Sequence, residues 1–201
     1  MRHILLTKFA VAFPDDNPRK RFEENPAWLD ERMVLFRKYC LPSVQSQTFK
    51  DFDWWFVASP HFKGIDKVTP ELTKFGKMLW LDAPWRDGQV EVGPALEPYY
   101  KNTGPICTTR LDSDDIIRGR FMECLEDAAV YVEEEEAWLS YFLGYYLYQD
   151  IAMLSRVPPN PFISFIENSN SGIKSVFHVD PHFRIEKYAR RNNQPLKDIG
   201  K

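Results

Sequence analysis

The sequence predicts an α/β fold, in which a mixed, mostly parallel sheet carries helices on both faces. Short apolar and β-branched runs, typical of buried strands, alternate with segments whose apolar residues recur every three or four positions, as in helices. This alternation extends through the first two-thirds of the 201 residues, and polar residues follow four of the predicted strands. Because parallel strands need crossover helices and bind ligands beyond their carboxyl ends, both observations favour this fold class.

The first predicted strand spans residues 4–9, and a polar loop between prolines follows it. A helix is predicted from Pro26 with Asn25 as its N-cap, and Pro42 is expected to kink this helix or divide it in two. Further strands are expected at 52–58, 77–81, 106–111, 138–148, 150–154 and 175–179, with 163–166 as a short strand or helix and helix as an alternative for 138–154. Further helices are expected at 69–77, 93–102 and 116–132.

Composition argues against some classes of protein. The net charge of −3 does not favour a nucleic-acid-binding surface, which needs a basic face. No run approaches the roughly 18 apolar residues of a membrane helix, so no membrane span is expected, while peripheral membrane association stays open. The odd number of cysteines (Cys40, Cys107 and Cys124), widely spaced in apolar contexts, predicts buried thiols in a reducing compartment, the cytoplasm.

The most informative stretch is the acidic segment that follows strand 106–111. Asp112, Ser113, Asp114 and Asp115 are consecutive there. Residues two apart in an extended chain point the same way, so Asp112 and Asp114 can project toward one spot. Converging carboxylates repel each other unless a cation lies between them, and hard oxygen ligands suit Mg²⁺ or Mn²⁺. The segment therefore predicts a site for one of these ions.

Simpler interpretations of this segment remain open. One of Ser113, Asp114 or Asp115 is expected to cap the helix that follows, because a side-chain oxygen can accept from its first free backbone donors. A calcium loop of the EF-hand type is disfavoured, since its sixth position is normally glycine and is Ile117 here.

The strand ends at 7–9, 59–61, 82–85 and 112–114 are expected to line one cleft, because the carboxyl ends of parallel strands share one edge of a sheet. The sequence has neither a G-x-G-x-x-G motif nor a phosphate-binding P-loop. A phosphate group in this cleft would therefore be held by a metal ion and by cationic side chains.

Two segments resemble a known family. Residues 39–52, YCLPSVQSQTFKDF, resemble the helix-to-strand signature of family 2-like glycosyltransferases, and residues 109–115, TRLDSDD, resemble the DxD motif of their GT-A fold. The second segment is closest to a group of rhamnosyltransferases, which residues 160–167, NPFISFIE, also resemble. The resemblance implies a single GT-A-like domain over residues 1–201. It also implies more acceptor-side sequence after Lys201, so a truncated or short form is expected.

By this resemblance, the chain transfers a sugar, such as rhamnose, from a nucleotide-diphosphate donor to a glycan, a small molecule or another hydroxyl acceptor. Mn²⁺ or Mg²⁺ would bind Asp112 and Asp114, and Asp115 would orient a ligand or the donor ribose. His182 is a candidate third metal ligand, as is the nearby His178.

Other strand-end residues are expected to contact the donor. They are Thr7, Lys8, Ser59, Arg86 and Arg110. Arg110 could equally be structural, since strand alternation is expected to turn its side chain away from the neighbours of Asp112. Trp85 is a candidate platform for a sugar or base. An inverting transfer needs a general base near the acceptor hydroxyl, for which Glu167 is preferred and Asp150 is the alternative.

Two other functions remain open at this stage. A nucleotidyltransferase could use the same aspartates, but its phosphate loop is usually glycine-rich and basic, unlike residues 10–13, AVAF. A non-catalytic nucleotide- or carbohydrate-binding protein with a vestigial site is the second. It is favoured by one departure from the family pattern, since Ala58, Ser59 and Pro60 stand where the family usually has a base-reading aspartate.

Overall fold

Seven strands form the central sheet of the computed structural model, which describes residues 1–23, 25–85, 91–148, 151–156, 162–179 and 184–199. The strands of this sheet and of a separate hairpin, β6 and β7, are β1 (Arg2–Ala10), β2 (Phe52–Ala58), β3 (Lys77–Trp80), β4 (Pro105–Asp112), β5 (Ala137–Ser140), β6 (Leu143–Tyr148), β7 (Ile151–Arg156), β8 (Ile163–Asn168) and β9 (Leu196–Asp198). The α-helices are α1 (Lys20–Glu23), α2 (Pro26–Leu35), α3 (Leu41–Gln45), α4 (Ile65–Leu72), α5 (Val92–Tyr100), α6 (Phe121–Ala129) and α7 (Ile185–Arg191).

The strand order is β3-β2-β1-β4-β8-β5-β9, and β6 and β7 pair separately as an antiparallel hairpin. Strands β1 to β4 are parallel, with Leu6 beside Trp55 on β2 and Arg110 on β4. Only β8, among these seven, runs against its neighbours β4 and β5. The predicted mixed, mostly parallel sheet is therefore confirmed.

Helices cover both faces of the sheet. Helices α2, α3, α4 and α6 contribute to one apolar core. Helices α5 and α7 and the segment 173–179 contribute to a second core on the opposite face. The central strand β1 is buried from both sides, since Ile4, Leu5 and Leu6 are all 0% exposed. Continuous burial of this kind is typical of a parallel sheet between two helical layers.

The helical region from Pro26 to Gln45 begins as predicted and is divided before Pro42. Asn25 caps it by accepting from the Ala27 N–H at 3.1 Å, and Pro26 occupies its first turn. Between α2 and α3, residues Phe36–Cys40 form a π-helical turn, in which the Leu41 N–H donates to the Phe36 carbonyl. A proline inside an α-helix removes one hydrogen bond and crowds the preceding turn, so the wider turn accommodates Pro42.

Residues in α3 and directly after it form hydrogen bonds with the loop that connects β4 to α6. The buried Gln47 side chain donates to the Arg118 carbonyl at 2.7 Å and accepts from the Met122 N–H at 3.0 Å. Ser43 accepts from the Ile117 N–H at 3.3 Å. The Thr48 N–H donates to a carbonyl of the same loop. These bonds fix the path of residues 117–122 immediately after the acidic segment.

This fixation explains why α6 begins at Phe121 instead of residue 116. The backbone groups of Ile117 and Arg118 bond to Ser43 and Gln47 and not within a helix. The N-cap of α6 is Arg120 and makes no side-chain cap. The expectation that Ser113, Asp114 or Asp115 caps this helix is therefore wrong.

Other differences lie mainly in the C-terminal third. The expected strand 175–179 is instead a 3₁₀ turn, Val176–His178. At its start, the Ser175 N–H donates to the Glu167 side chain on β8, and the Val176 N–H donates to the Thr108 hydroxyl on β4. The polar tail contains α7 and β9, which were not predicted. Helix α4 begins earlier than expected, at Ile65, and Pro70 lies inside it. In the described ranges, the structure has no helix of the length and hydropathy needed to cross a membrane.

Replacing Gln47 by methionine is expected to lower the free energy of unfolding by about 2–4 kcal/mol. Methionine fills a similar volume but leaves the buried Met122 N–H without its acceptor, and the Arg118 carbonyl keeps only its bond from the Phe121 N–H. Urea denaturation followed by circular dichroism measures the change. The matched control is Gln45→Met at an exposed position of the same helix, which should change stability by less than about 0.5 kcal/mol. Equal effects of the two substitutions would contradict this role of Gln47.

Candidate functional site

The acidic segment lies at the edge of the sheet where β1, β2, β3 and β4 end. Backbone bonds join the loops at this edge, with the Ser59 N–H donating to Ala10 at 2.7 Å and the Leu81 N–H donating to Ala58 at 2.9 Å. The Trp85 N–H donates to the Ala12 carbonyl at 2.6 Å. The predicted gathering of strand ends at one edge is thus present in the structure.

Asp112, the last residue of β4, is bonded to one cationic side chain and lies next to a second in the sheet. Arg110 donates to its carboxylate at 3.1 Å, and Lys8 is its neighbour across the β1–β4 register. Burial would raise the pKa of Asp112, but the charges of Arg110 and Lys8 outweigh it and hold this pKa below its usual value. The expectation that alternation turns Arg110 away was wrong, because residues two apart on a strand share a face.

Asp114 is paired with a residue that the sequence analysis did not single out. Arg32 on α2 contacts the Asp114 carboxylate at 2.6 Å. The Arg32 guanidinium lies over the ring of Trp28, one helical turn earlier, at 5.0 Å from its centroid. The spacing of four residues could have indicated the contact with Trp28, but nothing local in the sequence indicates the pairing with Asp114.

Asp115 is the least compensated acid of the segment. Its N–H donates to the Asp112 carbonyl at 3.1 Å, so the chain turns here. Burial first, and then the neighbouring charges of Asp112 and Asp114, raise the pKa of the Asp115 carboxyl to about 7. Ser113 is 1% exposed, and its hydroxyl has no hydrogen-bond partner. The three carboxylates are therefore close enough to repel one another.

The donor set fits a hard divalent cation. Mg²⁺ binds through one or two carboxylates and takes its remaining ligands from water and substrate phosphates. Mutual repulsion of carboxylates is relieved by a cation between them, and after burial the charges of Asp112 and Asp114 contribute to the raised pKa of Asp115. Within the residues that the structure describes, no cluster of three or more His, Cys, Asp or Glu side chains forms a complete metal site. The residues present therefore fit a cation that is bound by two carboxylates of this segment and by water or a substrate phosphate.

An open cavity of about 520 Å³ lies at the same edge. It is lined by Ala12, Phe13, Pro14, Asp15, Asp16, Lys20, His61, Asp82 and Pro84, from the loops after β1, β2 and β3. The ammonium of Lys8 lies 5.1 Å from the ring centroid of Trp85, which is bonded to this lining at Ala12. Lys8 therefore lies between Trp85, which is next to the cavity lining, and Asp112.

Several residues expected to contact the donor have other roles. Thr7 and Ser59 are both 0% exposed. The Thr7 hydroxyl accepts from the indole of Trp54 at 2.9 Å, inside the core, and Ser59 accepts from the His61 N–H in a turn. Trp85 is also buried and packs against Phe177, so it is not an exposed platform. Thr7 and Ser59 contribute to the fold and not to a binding surface.

Glu167 lies far from the acidic segment. It pairs with Ile106, near the start of β4, whereas Asp112 is at the end of that strand. Both of its carboxylate oxygens accept backbone N–H groups, from Lys174 at 2.7 Å and from Ser175 at 2.8 Å. Burial raises the pKa of Glu167 despite these bonds. Glu167 thus lies at the opposite end of β4 from the acidic segment, a position that does not favour its expected role as general base beside that segment.

His178 belongs to the second core. Its ring stacks on Trp138 at 5.0 Å between centroids, and its Nδ1 lies 2.6 Å from the Ser175 carbonyl. Burial lowers the pKa of His178, so the neutral ring is favoured. Three other candidates, Arg86, Asp150 and His182, lie outside the described residues.

Two solved structures illustrate the likeness of this fold to known proteins. The chain is similar to TarS 1-349 from S. aureus in complex with UDP-GlcNAc, with 16% identity and a TM-score of 0.42 over 72% of this chain and 35% of that one. It is also similar to HddC from Yersinia pseudotuberculosis, with 8% identity and a TM-score of 0.41 over 91% of this chain and 81% of that one. The chain thus spans about a third of the TarS chain, and both likenesses are too weak to support a conclusion about activity. No curated protein matches the chain.

The sequence profile of one protein family matches residues 4–155. This range includes β1 to β4, the helical signature at 39–52 and the whole acidic segment. The fold class implied by the sequence resemblance, GT-A, agrees with this match and with the observed sheet. Since the match covers more than half of the 201 residues, the chain belongs to the family described as "Putative rhamnosyl transferase", a family of glycosyltransferases.

Proposed function

We propose that this chain transfers a sugar from a nucleotide-diphosphate donor to a hydroxyl acceptor, with help from a divalent cation. The observation that carries the proposal is the cluster of Asp112, Asp114 and Asp115 at the carboxyl edge of a parallel sheet, the same edge on which an open cavity lies. In sheets of this kind, ligands bind at that edge. The description of the family supports rhamnose as the sugar.

The chain's own residues would divide the donor between two places. The cavity after β1, β2 and β3 has room for a nucleoside, and Asp82 and His61 on its wall offer polar contacts. Lys8 and Arg110, beside the acidic segment, are cations suited to a diphosphate. Asp112 and Asp114 would hold Mn²⁺ or Mg²⁺, and when bound, this ion would stabilise the charge that develops on the departing diphosphate.

The acceptor side of the proposal rests on fewer residues. Of the two candidate bases, Asp150 is retained, because Glu167 is engaged at the other edge of the sheet. A glycan or a small molecule with a free hydroxyl is the proposed acceptor.

We place the protein in the cytoplasm, since Cys40, Cys107 and Cys124 are free thiols and burial raises the pKa of Cys107 to about 12.

Replacing either Asp112 or Asp114 by asparagine is expected to weaken Mn²⁺-dependent binding of the donor. Each substitution removes one charged oxygen ligand, so the affinity should fall by about tenfold or more. Calorimetry with a panel of nucleotide sugars, with Mn²⁺ and with EDTA, measures this loss, and mass spectrometry detects the product with candidate acceptors. The matched control is Asp127→Asn on the exposed side of α6, which should bind as the wild type does. Binding that is indifferent to the metal and to both site variants would contradict the proposal.

Replacing Asp115 by asparagine is expected to remove a pH dependence of stability. The folded pKa of about 7 lies above the unfolded value of roughly 3.9, so the protonated carboxyl stabilises the fold. This contribution is full below about pH 4 and is lost as the pH rises to about 7. Urea denaturation between pH 5 and 7 should show the wild type losing about 2 kcal/mol relative to the variant. Parallel stability curves for the two proteins would contradict this assignment.

A further inference from the structure

Among the residues that the structure describes, Arg32 is the cation that reaches the acidic segment from a helix and not from the sheet. It reaches Asp114 at 2.6 Å from α2, and its side chain is 24% exposed. Its guanidinium lies over the Trp28 ring at 5.0 Å, and Trp28 in turn packs on Phe62 at 5.3 Å. Arg32 is therefore held at the rim of the site with part of its side chain facing solvent.

Among the described residues, the charges at this site nearly balance without any ligand, with Asp115 about half ionised at pH 7. Three carboxylates face three cations, which are Asp112, Asp114 and Asp115 against Lys8, Arg32 and Arg110. A divalent cation alone would add two positive charges, and a diphosphate alone would add about two negative ones. The two together restore the balance, so a metal ion and a diphosphate are expected to bind more tightly in combination than separately.

The pairing of Arg32 also conflicts with metal binding. The Asp114 oxygen that contacts Arg32 cannot at the same time be fully available to a metal ion, because both positive charges compete for it. A guanidinium displaced from a carboxylate is well suited to a phosphate group, since its planar fork of donors fits either anion. Arg110 lacks this freedom, being 7% exposed.

We propose that Arg32 is an exchangeable diphosphate-binding residue, which holds Asp114 in the free protein and moves its ion pair to the diphosphate when metal and donor bind. This inference rests on the proposed function and adds a residue and an order of events to it. It requires Arg32 to have opposite effects on two ligands. It should oppose the binding of the metal alone and favour the binding of the metal together with a diphosphate.

The test measures these two affinities in the full chain and in the Arg32→Gln variant. Mn²⁺ alone is followed by electron paramagnetic resonance, and the preformed complex of Mn²⁺ with inorganic pyrophosphate is followed by calorimetry. The variant should bind Mn²⁺ alone about three- to tenfold more tightly, because Asp114 is released, and the pyrophosphate complex about tenfold more weakly. Arg32→Lys, which keeps the charge but loses the planar fork of donors, should bind both probes with affinities between those of the wild type and of Arg32→Gln.

Arg37→Gln is the matched control, since Arg37 lies one turn further along the same helical region and forms an exposed pair with Glu71 at 2.5 Å. It should change neither affinity. If Arg32→Gln weakens both probes, leaves both unchanged, or fails to bind Mn²⁺ alone, the exchange is wrong. If the wild type binds the pyrophosphate complex no better than an Asp112→Asn, Asp114→Asn double variant does, the proposed function itself fails.

Discussion

The repulsion among Asp112, Asp114 and Asp115 is the constraint on which the architecture of this site depends. Three carboxylates at one turn are tolerated because cations reach them from β1, from β4 itself and from α2. Lys8 is in place because β1 and β4 are adjacent in the sheet, Arg110 because it precedes Asp112 by two residues on β4, and Arg32 because α2 packs against that sheet. The order of the strands, the packing of the helix and the electrostatics of the site are thus one arrangement.

Side chains of the segment 39–52 contribute to the site by fixing the backbone of the loop that follows the acidic segment. Ser43 and Gln47 hold the loop after the acidic turn, at Ile117, Arg118 and Met122. The polar residues of this helical signature are therefore explained by buried hydrogen bonds, which a glutamine amide can donate and accept at once. A sequence signature can in this way report the positioning of a loop in another part of the chain.

Local patterns predicted β1 to β4, α5 and the acidic cluster well, because periodicity and adjacency are visible in the sequence. Contacts between distant segments were not visible. The start of α6 was placed too early, since side chains from another helix take its backbone bonds. Arg32 was missed for the same reason, and Thr7 was misassigned because the face to which it points depends on Trp54. Arg110, by contrast, could have been assigned from strand alternation alone.

The position of β8 has a consequence for how the chain becomes a folded protein. This antiparallel strand lies between β4 and β5, yet it follows both of them in the sequence by more than twenty residues. Until Ile163–Asn168 has emerged from the ribosome, β4 exposes a row of unpaired backbone groups, to which another chain could add a strand. A fragment that stops at the end of the family match would retain that exposed edge permanently, and aggregation is its expected fate.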